Sequence, residues 1–339
     1  MSQYPSAMAR IHGGPDHHGV PLHDFSTNSN ACGPCPFALA AVRQADASQY
    51  PDASYTALRA RLADFHGVPV SRVLLAGSAS EFIFRITALA AQQGGRSVWL
   101  PPHSYGDYAQ AARAHRLAVV AQADDAPLRW ACDPSSPLGA AHAGLGDLAD
   151  GGAALSVLDR AYEPLRLDGA LALTGAQLQT FWQLWTPNKA LGLTGVRAAY
   201  VIAPPGSEDA VMQLETLAAS WPVGAHGVAM LQAWATSDVQ AWLAQSLHTL
   251  REWKARQLAL CEALGWTCLP SDANFFCARP AWPQAATLPQ ALTRLRAHGI
   301  KLRDTASFGL PGHVRVSVQP PQAQDALHNA WQHIVKASS

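Results

Sequence analysis

The sequence predicts an α/β protein with a second, smaller α+β part, and three observations indicate this. Short apolar runs that read as buried strands, such as residues 73–75 and 154–159, are separated by stretches of helical periodicity. The C-terminal part mixes short strands with helices, which suits an α+β unit. The chain has 339 residues, of which 49% are hydrophobic, so it is long enough for a sizeable core and two domains.

The elements follow an irregular N-terminal arm, residues 1–35, which is rich in Pro, Gly, His and Asn. In the helix predicted after it, Leu58, Leu62 and Phe65 recur at helical spacing. The sequence predicts helices at residues 37–45, 53–65, 77–91, 228–265, 288–298 and 322–336, and strands at residues 73–75, 96–100, 154–159, 266–269, 275–278 and 314–318.

Composition argues against two classes of partner. Charged residues make up 14% of the chain and the formal net charge is zero, whereas nucleic-acid-binding proteins usually show a basic excess or face. No apolar run reaches the ~18–20 residues that a membrane span needs. The N-terminus lacks the charged-then-apolar pattern of a secretion signal. We therefore expect a cytoplasmic protein without nucleic-acid or membrane partners.

The chain has six cysteines, which we expect to be free thiols in an intracellular protein of this length. Cys32 and Cys35 form a Cys-Gly-Pro-Cys sequence like that of thioredoxin. A redox site of that kind should follow a strand in a compact βαβ unit, whereas these two lie in the Pro-rich arm. The nearby His17, His18 and His23 show no recognisable ligand spacing, so the sequence predicts a polar arm without a metal.

The stretch LWTPNKALGLTGVRAAY, residues 184–200, holds the strongest candidate for chemistry. Lys189 is one of four lysines, and it alone is embedded in apolar and small residues. Desolvation disfavours the ammonium form of a lysine, and a neutral amine can bond covalently to an aldehyde cofactor. An isolated lysine in a loop is more often a plain surface residue, so the neighbours of Lys189 decide the interpretation.

Those neighbours resemble the lysine motif of fold-type I pyridoxal-phosphate (PLP) enzymes of the aminotransferase class I/II group. The motif runs S-x-S-K-x-x-G-L-x-G-x-R; Thr186 and Asn188 replace its serines, while Lys189 and Arg197 match. In the family the lysine carries PLP, and the first hydroxyl and the arginine hold its phosphate. The resemblance implies these roles for Lys189, Thr186 and Arg197.

The turn at Ser78, Ala79 and Ser80 opens a predicted helix. Small residues there leave N–H groups pointing outward, and the helix dipole favours an anion. Alone, such a turn is more often a simple cap. In the family the corresponding turn holds the PLP phosphate, so the resemblance implies that these three residues bind it.

Further phrases extend the resemblance. Asp159 and Tyr162 match the family's D-x-A-Y phrase, which implies that Asp159 pairs with the PLP ring nitrogen and that Tyr162 bonds the ring oxygen. The alternative for Asp159 is a cap for the following helix. Tyr105 matches a tyrosine that stacks on the PLP ring. Ser136 stands where the family has an asparagine that bonds the same ring oxygen, a departure that indicates a divergent branch.

Two N-terminal phrases, DFSTNSN and QYPD, resemble those of a narrower subgroup. This subgroup contains histidinol-phosphate aminotransferase and the threonine-phosphate decarboxylase of cobalamin synthesis. The resemblance implies that Asn30 lies near the substrate. It also implies that Tyr50 reaches the PLP phosphate of a neighbouring subunit, which would make the protein a homodimer with shared active sites.

Two arginines flank a glycine-rich turn in the C-terminal part. The phrase from residue 303 to residue 317, RDTASFGLPGHVRVS, is close to the decarboxylase group's R-x-x-x-S-F-G-L-P-G-x-x-R-[VI]-[SA]. Arg315 is the predicted carboxylate clamp, because its planar fork matches a carboxylate. Arg303 is predicted to hold a second anion such as a substrate phosphate. Either could instead be a solvated strand-end residue.

The resemblance implies the fold-type I architecture, a mixed, mostly parallel seven-stranded sheet with a smaller α+β C-terminal domain. The predicted parts are an arm (1–35), a large PLP-binding domain (36–245) and a small domain (246–339). The first functional hypothesis is a PLP-dependent lyase that decarboxylates the phosphorylated amino acid L-threonine O-3-phosphate in cobalamin synthesis. The alternatives are a histidinol-phosphate-type aminotransferase and, from another class, a weakly catalytic assembly partner in cobalamin synthesis.

Overall fold

The computed structural model describes residues 12–150, 155–281 and 287–336. Residues 1–11 of the predicted arm, residue 154 at the start of a predicted strand, and residues 337–339 lie outside these ranges. The strands are β1 (His23–Asp24), β2 (Val73–Ala76), β3 (Ser97–Trp99), β4 (Ala118–Val120), β5 (Leu128–Cys132), β6 (Leu155–Asp159), β7 (Trp182–Trp185), β8 (Ala199–Ile202), β9 (Thr267–Cys268), β10 (Phe275–Arg279), β11 (Ile300–Lys301), β12 (Arg303–Asp304) and β13 (Val314–Ser317).

The helices alternate with these strands in the first part of the chain and cover the small sheet in the second. They are α1 (Pro36–Gln44), α2 (Thr56–His66), α3 (Ala79–Gln92), α4 (Gly106–Ala114), α5 (Leu145–Asp150), α6 (Gly175–Leu178), α7 (Glu208–Thr216), α8 (Ala225–Trp234), α9 (Ser237–Ala263), α10 (Leu288–Ala297) and α11 (Pro321–Lys336). In the described ranges, no helix has the length and hydropathy that crossing a bilayer would require.

The central sheet has seven strands in the order β2-β8-β7-β6-β5-β3-β4. Strands β7, β6, β5, β3 and β4 run parallel, and β8 is antiparallel to both of its neighbours. The apolar strands β2 and β8 are buried throughout, as expected for a sheet covered by helices on both faces. The predicted mixed, mostly parallel seven-stranded sheet is confirmed.

The parallel strands place the candidate residues at one edge of this sheet. The carboxyl ends of β3, β5, β6 and β7 lie side by side, because the strands pair in register and run in the same direction. Ligands of open α/β sheets bind at this edge. Tyr105, Ser136, Asp159 and Lys189 all lie at or just after the ends of these strands.

The smaller sheet is antiparallel, in the order β12-β13-β10-β9. An apolar core that includes Phe276, Val316, Leu295 and Trp331 fills the space between this sheet and the helices α10 and α11. The predicted smaller α+β part is therefore present. Its inward strand residues alternate with residues that face the large sheet, and Arg315 is one of the latter.

The arm is tied to the small part rather than irregular throughout. Strand β1 pairs in parallel with β11, and Asp16 forms ion pairs with Arg296 at 2.9 Å and Lys301 at 3.0 Å. From there the arm crosses to the large sheet, where the Asn30 N–H donates to Lys189 O at 2.9 Å. The arm thus bridges both sheets beside the candidate site.

One long predicted helix, residues 228–265, is in fact two. Helix α8 ends at Trp234 and α9 begins at Ser237, and Thr236 between them has an extended backbone. Helix α9 then continues across residue 245, so the predicted domain boundary falls inside an unbroken helix. The division into three parts stays a prediction.

Candidate active site

Lys189 lies in the loop that follows β7, and the arm holds this loop in place. Gly192 has a φ of +68°, and a side-chain carbon there would meet Gly33 O at 2.6 Å. The first glycine of the lysine motif is thus explained by a close crossing of two backbones, which a larger residue would prevent. Lys189 Nζ lies 5.3 Å from the centre of the Tyr162 ring. The structure therefore brings together the predicted lysine and tyrosine.

Asp159 ends β6 and is 5% exposed. Its Oδ2 accepts a hydrogen bond from the Tyr108 hydroxyl at 2.7 Å, and its Oδ1 accepts one from the Ala161 N–H at 2.9 Å. Burial raises the pKa of the Asp159 carboxyl, while the Tyr108 bond and the charge of Lys189 oppose that rise. A buried carboxylate of this kind suits a cationic partner in the site.

Tyr162 has an asparagine neighbour that the sequence reasoning missed. Asn28 is buried, and its Nδ2 donates to the Tyr162 hydroxyl at 3.3 Å. The Oδ1 of Asn28 is buried and has no partner within the part of the chain that the structure describes. Because buried amide oxygens are nearly always hydrogen-bonded, this atom indicates a missing polar ligand.

Asn30, which the sequence predicts to lie near the substrate, has its side chain hydrogen-bonded to other protein groups. Its Nδ2 donates to Ala190 O at 3.0 Å and to Ser246 Oγ at 2.8 Å, and its Oδ1 accepts from the Cys32 N–H at 3.1 Å. Both amide protons are therefore engaged by protein groups. The phrase points to the right segment of the arm, but Asn28 is the asparagine whose side chain contacts a predicted site residue.

A cavity of about 420 Å³ lies at the start of α3, and Ser80, Tyr105 and Arg197 line it together with His12. The Ser78 hydroxyl caps the helix by accepting from the Glu81 N–H at 3.1 Å. The hydroxyl groups of Ser80 and Tyr105 approach each other at 3.4 Å. An exposed arginine and a helix N-terminus at one cavity suit a phosphate group.

Thr186 and Ser136 complete the predicted set. Thr186 is buried, and its Oγ1 has no hydrogen-bond partner among the described residues. A buried hydroxyl without a partner fits the predicted role in holding a ligand oxygen. Ser136 is also buried, in the loop after β5, where the Cys132 thiol donates to Pro134 O at 3.3 Å.

The two arginines are cross-strand neighbours, because Arg303 of β12 pairs with Arg315 of β13. Both are buried, and both guanidinium groups lie over the Phe308 ring, at 4.8 and 5.6 Å. Arg303 donates to Ser307 Oγ at 2.8 Å, and Arg315 donates to Ser26 O at 3.0 Å. They are therefore not solvated strand-end residues.

This pair brings two positive charges together in a buried setting. Burial and the adjacent charge of Arg315 lower the pKa of Arg303 to about 10, which leaves it protonated at neutral pH. The buried Nε of Arg315 has no hydrogen-bond partner in the described ranges. Two buried cations side by side are costly unless an anion joins them, so this pair is a candidate anion site.

A second charged cluster joins the loops beneath the site by ion pairs. The sequence did not predict it. The guanidinium of Arg166 bonds to buried Asp133, pairs with Glu163 at 2.8 Å and approaches Asp272 at 3.6 Å. Asp133 begins the loop that carries Ser136, and Asp272 lies in the segment that enters β10. This cluster joins the two sheets. Glu163 is local to Arg166, but Asp133 and Asp272 are far from it in sequence, so no local pattern could have identified the whole cluster.

Tyr50 is 78% exposed, and its ring stacks on Trp221 with the ring centres 4.6 Å apart. The structure thus presents both aromatic rings at the surface. Cys32 and Cys35 are free thiols. Burial raises the pKa of Cys32 to about 11 and also raises the pKa of Cys35, which disfavours the thiolate that redox chemistry needs.

Comparison with known proteins agrees with this geometry. The sequence profile of the family "Aminotransferase class I and II" matches residues 21–138 and 130–334. A histidinol-phosphate aminotransferase from Symbiobacterium thermophilum is 30% identical over 333 residues, which cover 89% of this chain and 88% of that protein.

Two solved structures share the fold. Histidinol-phosphate aminotransferase from Sinorhizobium meliloti, in complex with pyridoxal-5'-phosphate, matches with a TM-score of 0.80 and 22% identity, covering 95% of this chain and 93% of that one. L-threonine-O-3-phosphate decarboxylase from Porphyromonas gingivalis matches with a TM-score of 0.74 and 21% identity, covering 92% and 99%. The chain belongs to the aminotransferase class I and II family of fold-type I enzymes, and its cofactor is pyridoxal 5'-phosphate.

Proposed function

We propose that this protein is a PLP-dependent aminotransferase that takes the amino group from histidinol phosphate or a closely similar amine phosphate. The observation that carries the proposal is the buried Arg303–Arg315 pair, which places two positive charges toward the sheet edge that holds Lys189. The buried Nε of Arg315 has no hydrogen-bond partner in the described ranges, so it remains available to an anion. The names of the relatives supply the substrate class.

The first functional hypothesis, decarboxylation of threonine phosphate in cobalamin synthesis, is wrong. It depended on the phrase from residue 303 to residue 317. Relatives at 28 to 31% identity over most of the chain are histidinol-phosphate aminotransferases, whereas the decarboxylase is a structural neighbour at 21% identity. The phrase describes an anion-binding pair, and both reaction types need one, so it does not distinguish between them.

The residues present fit the cofactor. Thr186 and Asn28 each offer a buried polar atom without a partner in the described ranges, and the cavity at α3 offers a helix N-terminus and Arg197. Ser78, Ala79, Ser80, Thr186 and Arg197 would hold the phosphate, and Tyr105 would stack on the ring. Asp159 would pair with the ring nitrogen. Lys189 would hold the aldehyde carbon.

When bound, PLP supplies a conjugated ring that takes up the electron pair released at the substrate carbon. Lys189 Nζ, near the Tyr162 ring, would act as the general base that takes the proton from the carbon that bears the amine. Asp159 keeps the proton on the ring nitrogen through its negative charge. Tyr162 accepts from Asn28, which leaves its own hydroxyl proton to bond the ring oxygen, with Ser136 nearby in the same edge.

The arginine pair selects which bond breaks. A bond at the substrate carbon breaks when it stands perpendicular to the ring, because only then does it overlap the ring's π electrons. Histidinol phosphate carries no carboxyl group, so its phosphate is the anion that Arg303 and Arg315 would fix. An anion held there would orient the substrate against the cofactor and would thereby influence which bond at its carbon breaks. The 2-oxo acid that accepts the amino group is also an anion and would use the same pair.

The proposal is tested by mixing the purified holoenzyme with histidinol phosphate and 2-oxoglutarate. We expect glutamate to appear in step with consumption of histidinol phosphate. A holoenzyme that binds PLP but forms no glutamate from histidinol phosphate, while forming it from another amine, would refute the substrate assignment.

Arg303→Ala is expected to lower kcat/KM for the phosphorylated amine more than for its unphosphorylated form. Losing a charged hydrogen-bond partner costs roughly 1.5–3 kcal/mol, so the preference for histidinol phosphate over histidinol should fall about tenfold or more. The measurement is kcat/KM for both amines. Arg279→Ala is the matched control, because Arg279 is an exposed arginine at the end of β10 in the same sheet. Equal losses on both amines would show that Arg303 does not bind the phosphate.

We also propose a homodimer in which Tyr50 of one subunit contacts the cofactor phosphate of the other. Support comes from the exposed Tyr50–Trp221 stack, since two large aromatic rings at the surface suit burial against a second copy. Within one subunit these rings lie outside the cavity that Ser80 and Arg197 line.

Mixed dimers test this arrangement. A Tyr50→Phe subunit paired with a Lys189→Ala subunit should contain one site with both defects and one site with neither. We therefore expect the mixed dimers to recover the PLP affinity of the native protein in half of their sites, measured by cofactor titration of the mixed dimers after subunit exchange and separation from the two homodimers. If Tyr50 contacts the cofactor of its own subunit, each site of a mixed dimer keeps one defect, and no site recovers the native PLP affinity.

A further inference from the structure

Tyr108, on α4, is joined to the Asp159 carboxylate by a short hydrogen bond. Its ring is 1% exposed, and its hydroxyl donates to Asp159 Oδ2 at 2.7 Å. Burial raises the pKa of Tyr108 well above its usual range, so the hydroxyl stays protonated and can donate at neutral pH. The roles described above do not use this bond.

The Tyr108 ring is fixed on two sides. It stacks on Trp130 of β5 with the ring centres 4.3 Å apart and the planes 16° apart. The ring of Tyr105 meets it edge to face at 5.9 Å. Since the ring has little freedom, the hydroxyl presents its proton to one oxygen of Asp159 and fixes the direction of the carboxylate.

Several groups act on the charge of Asp159. The Ala161 N–H and Tyr108 donate to it, and Lys189 contributes an attractive charge from the loop after β7. Cys132 of β5 lies beside it in register, with a thiol whose pKa burial raises well above the usual value, so that it stays neutral. Tyr108 is therefore the side chain that donates to Asp159 among the contacts described.

We propose that Tyr108 is a positioning residue that keeps Asp159 in its charged form and thereby keeps the proton on the ring nitrogen of the cofactor. The inference rests on the proposed role of Asp159 and adds a residue to it. A hydrogen bond to a carboxylate stabilises the charged form and so lowers its affinity for a proton. The Asp159 carboxylate and the ring nitrogen compete for one proton. Because the hydrogen bond from Tyr108 lowers the proton affinity of the carboxylate, it would keep that proton on the nitrogen.

The first measurement uses the protein without cofactor. Carbon-13 NMR of labelled aspartate follows the protonation of Asp159 with pH. In Tyr108→Phe, which keeps the ring stack but loses the donor, the midpoint should rise by about one pH unit, or about tenfold in proton affinity. Tyr55→Phe is the control, because Tyr55 is a buried tyrosine whose hydroxyl bonds to Val223 instead. It should leave the midpoint unchanged.

A second variant should shift the protonation midpoint of Asp159 in the opposite direction. Replacing Tyr108 with 3-fluorotyrosine makes the hydroxyl a stronger donor, so the midpoint should fall. This variant keeps the ring and the donor, and it therefore tests the proposal even if Tyr108→Phe folds poorly. A midpoint that does not move in either variant would overturn the proposal.

The second measurement uses the holoenzyme without substrate and nitrogen-15 NMR of labelled PLP. Tyr108→Phe should move the ring nitrogen signal toward that of unprotonated pyridine. Asp159→Asn separates the two hypotheses. If Asp159→Asn moves the signal and Tyr108→Phe does not, the role of Tyr108 is refuted while that of Asp159 stands. If neither moves the signal, the role of Asp159 itself fails.

Discussion

Replacing Lys189 with alanine is expected to abolish covalent attachment of the cofactor and to lower turnover by roughly 10³-fold or more. A positioned proton-transfer group alone contributes about 10²–10⁴-fold, and the alanine also removes the amine that holds the aldehyde. Borohydride reduction of the native holoenzyme should leave a pyridoxyl group on the Lys189 peptide. Mass spectrometry of the digested protein measures this label directly.

The chain offers a matched control for that experiment. Lys336 is exposed at the end of α11, so Lys336→Ala should keep both the label and the rate. The other two lysines are engaged elsewhere, because Lys254 pairs with Asp168 at 3.1 Å and Lys301 pairs with Asp16 at 3.0 Å. A label on either of them would contradict the assignment of Lys189.

The residues that sequence alone could find are those on regular elements or in continuous phrases. Asp159 follows a short apolar run, and such a run predicts a buried strand whose end faces the ligand edge. Lys189 lies among glycines that the crossing of Gly33 and Gly192 requires. For Asp159 the local pattern records burial of the strand. For Lys189 the continuous motif identifies the residue, although the partner that requires Gly192 lies far away in sequence.

The side-chain directions in the N-terminal arm could not be predicted from the sequence. Asn28 and Asn30 belong to one phrase, yet one side chain meets Tyr162 and the other meets Ala190 and Ser246. Their directions depend on which distant groups the irregular backbone passes, and no periodicity sets this. The break between α8 and α9 is similar, because neither Gly nor Pro marks Thr236.

Strands β7 and β8 were not predicted, although neither is an edge strand of the sheet. In β7 a buried glutamine, Gln183, interrupts the apolar run, and Arg160 donates to its Oε1 at 3.2 Å. That partner comes from the neighbouring strand end. The polar residue is thus satisfied by tertiary structure, which a local apolar pattern cannot record.

The largest effect short of losing the cofactor is expected for Asp159→Asn, which should lower turnover by more than about 100-fold, or roughly 2.7 kcal/mol of transition-state stabilisation. The amide carries no charge, so it cannot hold the proton on the ring nitrogen. The measurement is kcat at saturating cofactor. Asp209→Asn, an exposed aspartate in the first turn of α7, should leave the rate unchanged.

The same variant should not lose stability, and this separates a functional charge from a structural one. An asparagine can accept from the Ala161 N–H and donate to the Tyr108 oxygen, so both contacts survive. Because burial raises the pKa of Asp159 in the folded state, the contribution of this carboxyl to stability falls as pH rises above the ordinary aspartate pKa of about 3.9. The neutral amide avoids that loss. We therefore expect the apoprotein of Asp159→Asn to melt at the same or a higher temperature than the native apoprotein near neutral pH, with the difference vanishing in acid. A marked drop in melting temperature at pH 7 would show that the Asp159 charge supports the fold.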